Sequence, residues 1–338
     1  MSTKSNNAAE MQGATVLVTG ADGFIGSHLT ERLVELGARV RPFCLYNSQG
    51  SWGWLDQSSP DVRSRLDVRL GDIRDPRCVE EAFAGVDFVF HLAALISIPY
   101  SYVAPSSYVE TNVSGTLNVL EAARRHRVRR IVHTSTSEVY GTPATLPIRE
   151  THPLQAQSPY AASKVAADQL ALSYHASFEV PVTVLRPFNT YGPRQSTRAV
   201  ISTLLHQLLG GAREVELGRL DTRRDMTYVG DTVDGFIKAA LTEGVEGATI
   251  QLGTGQAVSI GELFTMCCEA VGVQAEVRQD SRRMRPDASE VLVLESDPSL
   301  ARERLGWEPQ TPLVEGLRRM ADWIRSQGPG RSDAFLHL

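Results

Sequence analysis

Lysine is nearly missing from this chain: Lys4, Lys164 and Lys238 are the only three in 338 residues, although Lys and Arg together number 34. Positive charge is carried by arginine, and 39 acidic residues outweigh it to leave a net charge of −5. The densest basic stretch, Arg124 to Arg130, is broken by His126 and Val128. No field of one sign is available to hold a phosphate polymer, which argues against nucleic acid as a partner. Cysteine is scarce as well. Cys44, Cys78, Cys267 and Cys268 show no CxxC spacing, and the adjacent last two face different sides of an expected helix, so they read as small buried hydrophobes. The eight histidines form no HExxH pair, and no metal site is expected. No apolar run reaches the length of a membrane span, and 27 Gly with 17 Pro fit neither a collagen-like repeat nor a low-complexity tract. The first dozen residues carry only Lys4 before Glu10, which is neither a secretory nor a transit pattern. A cytoplasmic protein without membrane attachment is the expectation.

What the chain does have is alternation. Short β-branched runs at Thr15–Thr19, Arg39–Leu45, Val68–Leu70, Val86–His91, Arg130–Thr134 and Val182–Leu185 alternate with helix-period segments at Phe24–Leu36, Pro76–Ala84, Pro105–Arg127 and Pro159–Phe178. This order predicts an α/β fold, a Rossmann-like doubly wound parallel sheet with helices on both faces. After Arg186 the pattern loosens, with helices expected at Ala199–Leu209, Val229–Thr242 and Ile260–Val271. The expected division is residues 12–186 as the nucleotide-binding domain, its sheet completed by later segments, and 187–326 mainly as a smaller C-terminal substrate-binding lobe. Residues 1–11 and 327–338 read as flexible tails.

The stretch Thr19-Gly20-Ala21-Asp22-Gly23-Phe24-Ile25-Gly26 follows the first strand and opens the first helix. Gly20 allows a tight turn, Gly23 lets a pyrophosphate approach the backbone, and Gly26 permits close helix–strand packing, while the helix N-terminus supplies N–H donors. The spacing is GxxGxxG, and here the chain resembles the extended short-chain dehydrogenase/reductase family. The resemblance implies that Asp22, Phe24 and Ile25 share the dinucleotide site with the glycines. An acidic residue would favour NAD at the end of the second strand, but Cys44, Leu45 and Tyr46 stand there. With no arginine placed to neutralise a 2′-phosphate, NAD is favoured over NADP, which stays open. Asn47 and Ser48 are the ribose candidates. By resemblance Asp72 and Ile73 contact the adenine, although Asp72 equally suits a turn or N-cap.

Tyr160 and Lys164 stand four residues apart behind Ser158-Pro159, an N-cap followed by a first-turn proline, so both side chains share one helix face. A nearby ammonium together with an oxidised nicotinamide favours the phenolate, making Tyr160 a general base. A lysine retained where arginine is used almost everywhere points to a site that needs a compact ammonium.

Ser135-Thr136-Ser137-Glu138-Val139-Tyr140-Gly141 follows the fifth strand at the end of the sheet where open α/β folds bind ligands. This segment resembles that of nucleotide-sugar 4,6-dehydratases. The resemblance implies that Thr136 orients the C4 hydroxyl and that Glu138 removes the C5 proton and then acts as acid toward the departing C6 hydroxyl. Ser137, in place of an aspartate, matches the GDP-mannose dehydratase pattern. His91-Leu92-Ala93-Ala94, Asn112, Arg186-Pro-Phe-Asn189 to Pro193 and Arg224-Asp-Met-Thr-Tyr-Val229 extend the likeness over nearly the full length. It places Leu92, Ala93 and Ala94 beside the nicotinamide, and Asn189, Arg224 and Arg285 on the nucleotide diphosphate, although each arginine equally suits a surface ion pair. Leu45–Leu55, Ile96–Tyr102 and Gly192–Arg198 look closest to dehydratases of the legionaminic acid pathway, which act on GDP- or UDP-linked N-acetylglucosamine. That narrower likeness makes Ser97, Tyr100 and Arg198 sugar contacts, while Trp52 and Trp54 equally suit packing under a loop.

The expectation is an NAD-dependent nucleotide-sugar 4,6-dehydratase that binds a nucleotide-diphosphate sugar and forms a 4-keto-6-deoxy product. A 4-epimerase is the nearest alternative, because it needs no C5 base. A non-catalytic NAD(P)-sensing protein is the alternative from another class. Helices Pro105–Arg127 and Pro159–Phe178 would pair with a second subunit, giving a homodimer.

Overall fold

The computed structural model describes residues 9–280 and 289–327. The first half alternates strands and helices in the expected order: β1 (Thr15–Thr19), β2 (Arg39–Leu45), β3 (Arg69–Gly71), β4 (Phe88–His91), β5 (Arg130–Thr134) and β6 (Val182–Pro187). The chain then leaves through β7 (Asn189–Tyr191), β8 (Glu214–Leu217) and β9 (Arg223–Tyr228), and returns to the main sheet with β10 (Thr249–Leu252). Short strands β11 (Ala257–Ser259), β12 (Glu276–Gln279) and β13 (Val293–Leu294) pair with those of the lobe.

The main sheet has seven parallel strands in the order β10-β6-β5-β4-β1-β2-β3. Strand order reverses between β1 and β4, which opens a crevice at their carboxyl ends. Side-chain alternation assigns the two faces. Val16 and Val18 of β1 pack with Leu29, Leu33 and Phe236 on one side, while Leu17 packs with Val79, Val119 and Leu120 on the other. The helix Val229–Leu241 belongs to the first of these cores, so a segment from beyond residue 186 completes both the sheet and a covering layer. The lobe has its own core around Leu204, Leu205, Leu263, Leu317 and Met320.

Two expectations change. Residues 9–11, expected within a flexible tail, are helical, and Met11 is fully buried in the main core. The helix expected over Pro105–Arg127 is broken by a π-helical stretch at Val109–Ser114 before resuming at Gly115–His126. Cys44 and Cys267 are buried and Cys78 and Cys268 half-buried, all as free thiols. Among the described residues no helix is long and apolar enough to cross a membrane, and no His, Cys, Asp and Glu cluster could hold a metal.

Candidate active site

The turn after β1 is shaped by what a side chain would hit. Gly20 has φ +69°, and a Cβ there would lie 2.7 Å from Ala93 N. A Cβ on Gly26 would lie 2.1 Å from the carbonyl oxygen of Gly20. Gly23 differs, since its Cβ would meet only that same oxygen at 3.3 Å. Gly20 and Gly26 are thus required for packing, and Gly23 keeps an open side. As N-cap of the helix Phe24–Glu35, Gly23 offers no side-chain acceptor, so the N–H groups of Phe24, Ile25 and Gly26 remain to receive an anion. Asp22 accepts from Leu45 N at 3.4 Å and, through its carbonyl, from Trp54 N at 3.1 Å. Burial pushes its carboxyl upward. Across the crevice, Thr19 ties down the loop after β4: its carbonyl accepts from Leu92 N at 3.1 Å and its hydroxyl from Ala93 N at 3.2 Å, with half-buried Ala94 following.

Beyond β2 the ribose candidates fare unequally. The Asn47 amide folds its own loop, donating to Ser51 O at 2.8 Å and accepting from Gln49 N and Ser51 N, so its side chain is already committed. Ser48 is exposed beside it. Asp72 takes the turn role, gripped by the Arg74 guanidinium through Nε at 3.0 and 2.9 Å, and this partner holds its carboxyl below the usual range. Ile73 is buried against Gly115. Trp52 packs against the main core and Trp54 meets Trp323 edge-on at 5.6 Å, so both indoles have packing partners.

The expected reacting residues do converge. Ser158 caps the helix Pro159–Phe178, its Oγ accepting from Ala161 N at 3.1 Å, and Tyr160, Lys164, Ala167 and Ala171 lie on the buried face. β5 ends at Thr134, whose carbonyl accepts from Lys164 Nζ at 2.6 Å. A turn at Ser137–Tyr140 then brings Thr136 into hydrogen bonding with Tyr160 and sets the Glu138 carboxylate near enough for the phenol to feel its charge. Glu138 is half-buried and Ser137 buried. In the chain alone burial dominates and pushes the Tyr160 phenol up, against the lowering effect of Thr136. Lys164 does not by itself reverse this, because burial pulls its own ammonium down to about 8.

Three neighbours of this centre escaped the sequence reading. Tyr108 lies edge-on to Tyr160 at 6.2 Å and donates its hydroxyl to Ser97 O at 2.5 Å. Asp168 and Arg186 lie behind the pair and contact one another at 2.9 Å. A carboxylate one helical turn beyond Lys164 was visible in the sequence; that Arg186 at the end of β6 meets it was not.

Of the expected sugar contacts, Ser97 starts the helix Ile98–Val103, and the exposed Tyr100 ring lies tilted 6.2 Å from that of Tyr108. Exposed Arg198 is close enough for its charge to act on Tyr108. Asn189 is half-buried, and its Oδ1 has no hydrogen-bond partner among the described residues. Arg224 forms an ion pair with Glu290 at 3.2 Å, and the pair is buried rather than at the surface. Arg285 lies outside the described residues.

A family model described as GDP-mannose 4,6 dehydratase matches residues 17–320. A dTDP-glucose 4,6-dehydratase of Streptomyces antibioticus is 35% identical over 314 residues, 92% of each chain. A UDP-glucose 4-epimerase of Mycolicibacterium smegmatis is 33% identical over 324 residues, 92% of this chain and 98% of that one. The solved DesIV dTDP-glucose 4,6-dehydratase of Streptomyces venezuelae, with NAD bound, superposes with a TM-score of 0.83 at 31% identity, covering 92% of this chain and 97% of its own. Dehydratases, epimerases and glucuronic acid decarboxylases are therefore similar to it at nearly the same level. The likeness spans the turn after β1, the helix Pro159–Phe178 and the lobe alike, and the chain belongs to the nucleotide-sugar epimerase/dehydratase family of extended short-chain dehydrogenases/reductases.

Proposed function

We propose that the protein is an NAD-dependent nucleotide-sugar 4,6-dehydratase acting on a GDP- or UDP-linked N-acetylglucosamine or a related hexose. The observation that carries this reading is Glu138, a carboxylate set in the turn after β5 where Tyr160 feels its charge. Oxidation at C4 needs only the hydroxyl, the phenol and the lysine. A base toward C5 is the extra part that elimination requires.

The turn suits NAD. Gly23 leaves the backbone open to a pyrophosphate, the uncapped helix start offers N–H donors, and Leu92 to Ala94 border the same crevice. When bound, NAD supplies a hydride acceptor and donor for the sugar ring, with positive charge beside the phenol. Thr136 and Tyr160 hold the C4 hydroxyl, and Tyr160 takes its proton. Lys164 fixes the phenol side of the site. Once C4 is a ketone its C5 proton is acidic, and Glu138 removes it. Protonated Glu138 then gives that proton to the C6 hydroxyl, which leaves as water. The unpartnered Asn189 Oδ1, Ser97, Tyr100, Ser137 and exposed Arg198 are the substrate contacts we favour, with Arg224 exchanging Glu290 for a diphosphate.

Residues 12–186 would form the dinucleotide domain, with β10 and Val229–Leu241 returning to it, and 187–326 mainly the substrate lobe. Exposed Val109, Leu117 and Phe178, on the helices expected to pair, support a homodimer, and we place it in the cytoplasm.

The test is incubation with GDP- and UDP-sugars in deuterated water, followed by mass analysis. We expect loss of one water and deuterium at C5, and Glu138→Gln should lower elimination by about 100-fold or more while sugar-nucleotide binding persists. Isomer exchange at constant mass would make it an epimerase. Loss of carbon dioxide from a UDP-uronate would make it a decarboxylase, and ligand binding without turnover a sensing protein.

A further inference from the structure

Behind the reacting pair lies buried charge that the proposed steps leave unused. The helix Pro159–Phe178 carries Tyr160, Lys164 and Asp168 at intervals of four, so one buried face bears phenol, ammonium and carboxylate in line. Asp168 is fully buried, where an unpaired carboxylate would be strongly destabilising. Two strands supply its partners. From the end of β5, Ser135 Oγ donates at 2.7 Å, and from β6, Arg186 donates through Nε at 3.1 Å and Nη2 at 2.9 Å, all three to Oδ2. His133 Nε2 lies 3.4 Å from Oδ1. Arg186 is itself fixed by the Tyr140 hydroxyl at 3.0 Å, with that ring beneath the guanidinium. These partners hold Asp168 ionised, below the usual carboxylate range.

The titratable and charged groups around the Tyr160–Lys164 pair are Asp168 on the same helix, Glu138 in the turn after β5, Tyr108, His91 on β4, His133 on β5 and Arg186 on β6. Burial and the nearby ammonium push both imidazoles down, so at neutral pH they add no charge. Of the two carboxylates in this set, Asp168 is the one that acts on Lys164. We propose that Asp168 is a positioning residue for the reacting centre: its carboxylate, locked by Ser135 and Arg186, keeps Lys164 an ammonium and thereby sets the upper pH limit of the site. The pH-limit clause rests on the reading of Tyr160 and Lys164 as the reacting pair; the coupling of Asp168 to Lys164 does not. Burial alone draws Lys164 down, and Asp168 opposes it.

The scarcity of lysine makes a direct test practical. Protein labelled with carbon-13 at the lysine ε-carbon gives signals from Lys4, Lys164 and Lys238 alone, assigned with Lys4→Arg and Lys238→Arg. We expect a Lys164 midpoint near 8 in the native chain. Asp168→Asn should lower it by about one unit or more, while Asp168→Glu, which keeps the charge, should stay within about half a unit. An unchanged midpoint in Asp168→Asn would overturn the proposal, since a purely structural role does not move it. If Asp168→Asn does not fold, Arg186→Met keeps the carboxylate, withdraws a cation and must raise the midpoint; no rise overturns the coupling. The alkaline limb of kcat in Asp168→Asn should move down with the Lys164 midpoint. A shifted midpoint with an unmoved limb would sustain the coupling and instead remove Lys164 from the reacting pair.

Discussion

Between Thr19 and Gly26 the chain works through backbone atoms, and between Ser135 and Asp168 it works through buried ionisable side chains. In the first region Gly20 and Gly26 serve by having no side chain, and the helix start contributes N–H groups. In the second, Tyr160, Lys164 and Asp168 are each at least nine-tenths buried, and their charge states depend on one another and on Arg186 of β6. A cradle made of backbone needs shape and tolerates little change in volume. A centre made of desolvated charge needs pairing, so a substitution there can leave the fold intact and still remove the chemistry.

Five substitutions, in four comparisons, sharpen or break that contrast. The largest effect belongs to Tyr160→Phe, which removes one hydroxyl and should lower kcat by about 10² to 10⁴ with the thermal midpoint nearly unmoved. A parallel fall in stability would mean that the phenol serves packing, and the contrast would fail. Next come two glycines that sequence alone treats alike. Gly26→Ala drives a Cβ toward Gly20 O and should cost about 3 kcal/mol in denaturant unfolding. Gly23→Val should leave unfolding close to native yet weaken NAD binding about 100-fold, roughly 2.7 kcal/mol by calorimetry.

The third concerns Lys164→Met, compared with the native chain by unfolding at several pH values. The folded lysine releases its proton near 8, whereas the unfolded one holds it to about 10.5, so between those values the unfolded chain binds more protons. Native stability therefore carries the burial penalty below pH 8 and regains it as pH rises toward 10.5. The methionine variant should be more stable at pH 7 by about 3 kcal/mol and lose that advantage across the window, although it turns over nothing. A pH-independent difference would show that the ammonium is not depressed. The smallest effect is expected of Tyr108→Phe, which keeps the ring against Tyr160 and loses only the bond to Ser97 O. It should cost about 1 kcal/mol in stability and change kcat by less than about threefold.

Elements whose signals are local were readable in advance. Thr15–Thr19, Arg39–Leu45, Arg130–Thr134, Pro159–Phe178 and Ile260–Val271 have the expected bounds, because period, caps and proline act within a few residues. Ser259, for example, forms a reciprocal capping pair with Glu262. Local signals failed where a distant partner intervenes. The π-helical stretch that breaks Pro105–Arg127 surrounds Asn112, whose amide bonds Leu95 on the loop after β4 and Ser163 on the helix of Tyr160. Arg224 likewise meets Glu290 from 66 residues along the chain, a contact that no local signal reports.

The sequence by itself determined the α/β alternation, the glycine turn and the pairing of Tyr160 with Lys164, since each depends on spacing along one strand or helix. Only tertiary structure decided which glycine stays open, because that depends on Ala93 and Gly20 coming within a Cβ radius of the others. It also decided the charge environment of Lys164. Burial and Coulomb interaction act through space, and Asp168, His91, His133 and Arg186 meet around one ammonium only after β4, β5 and β6 are laid side by side.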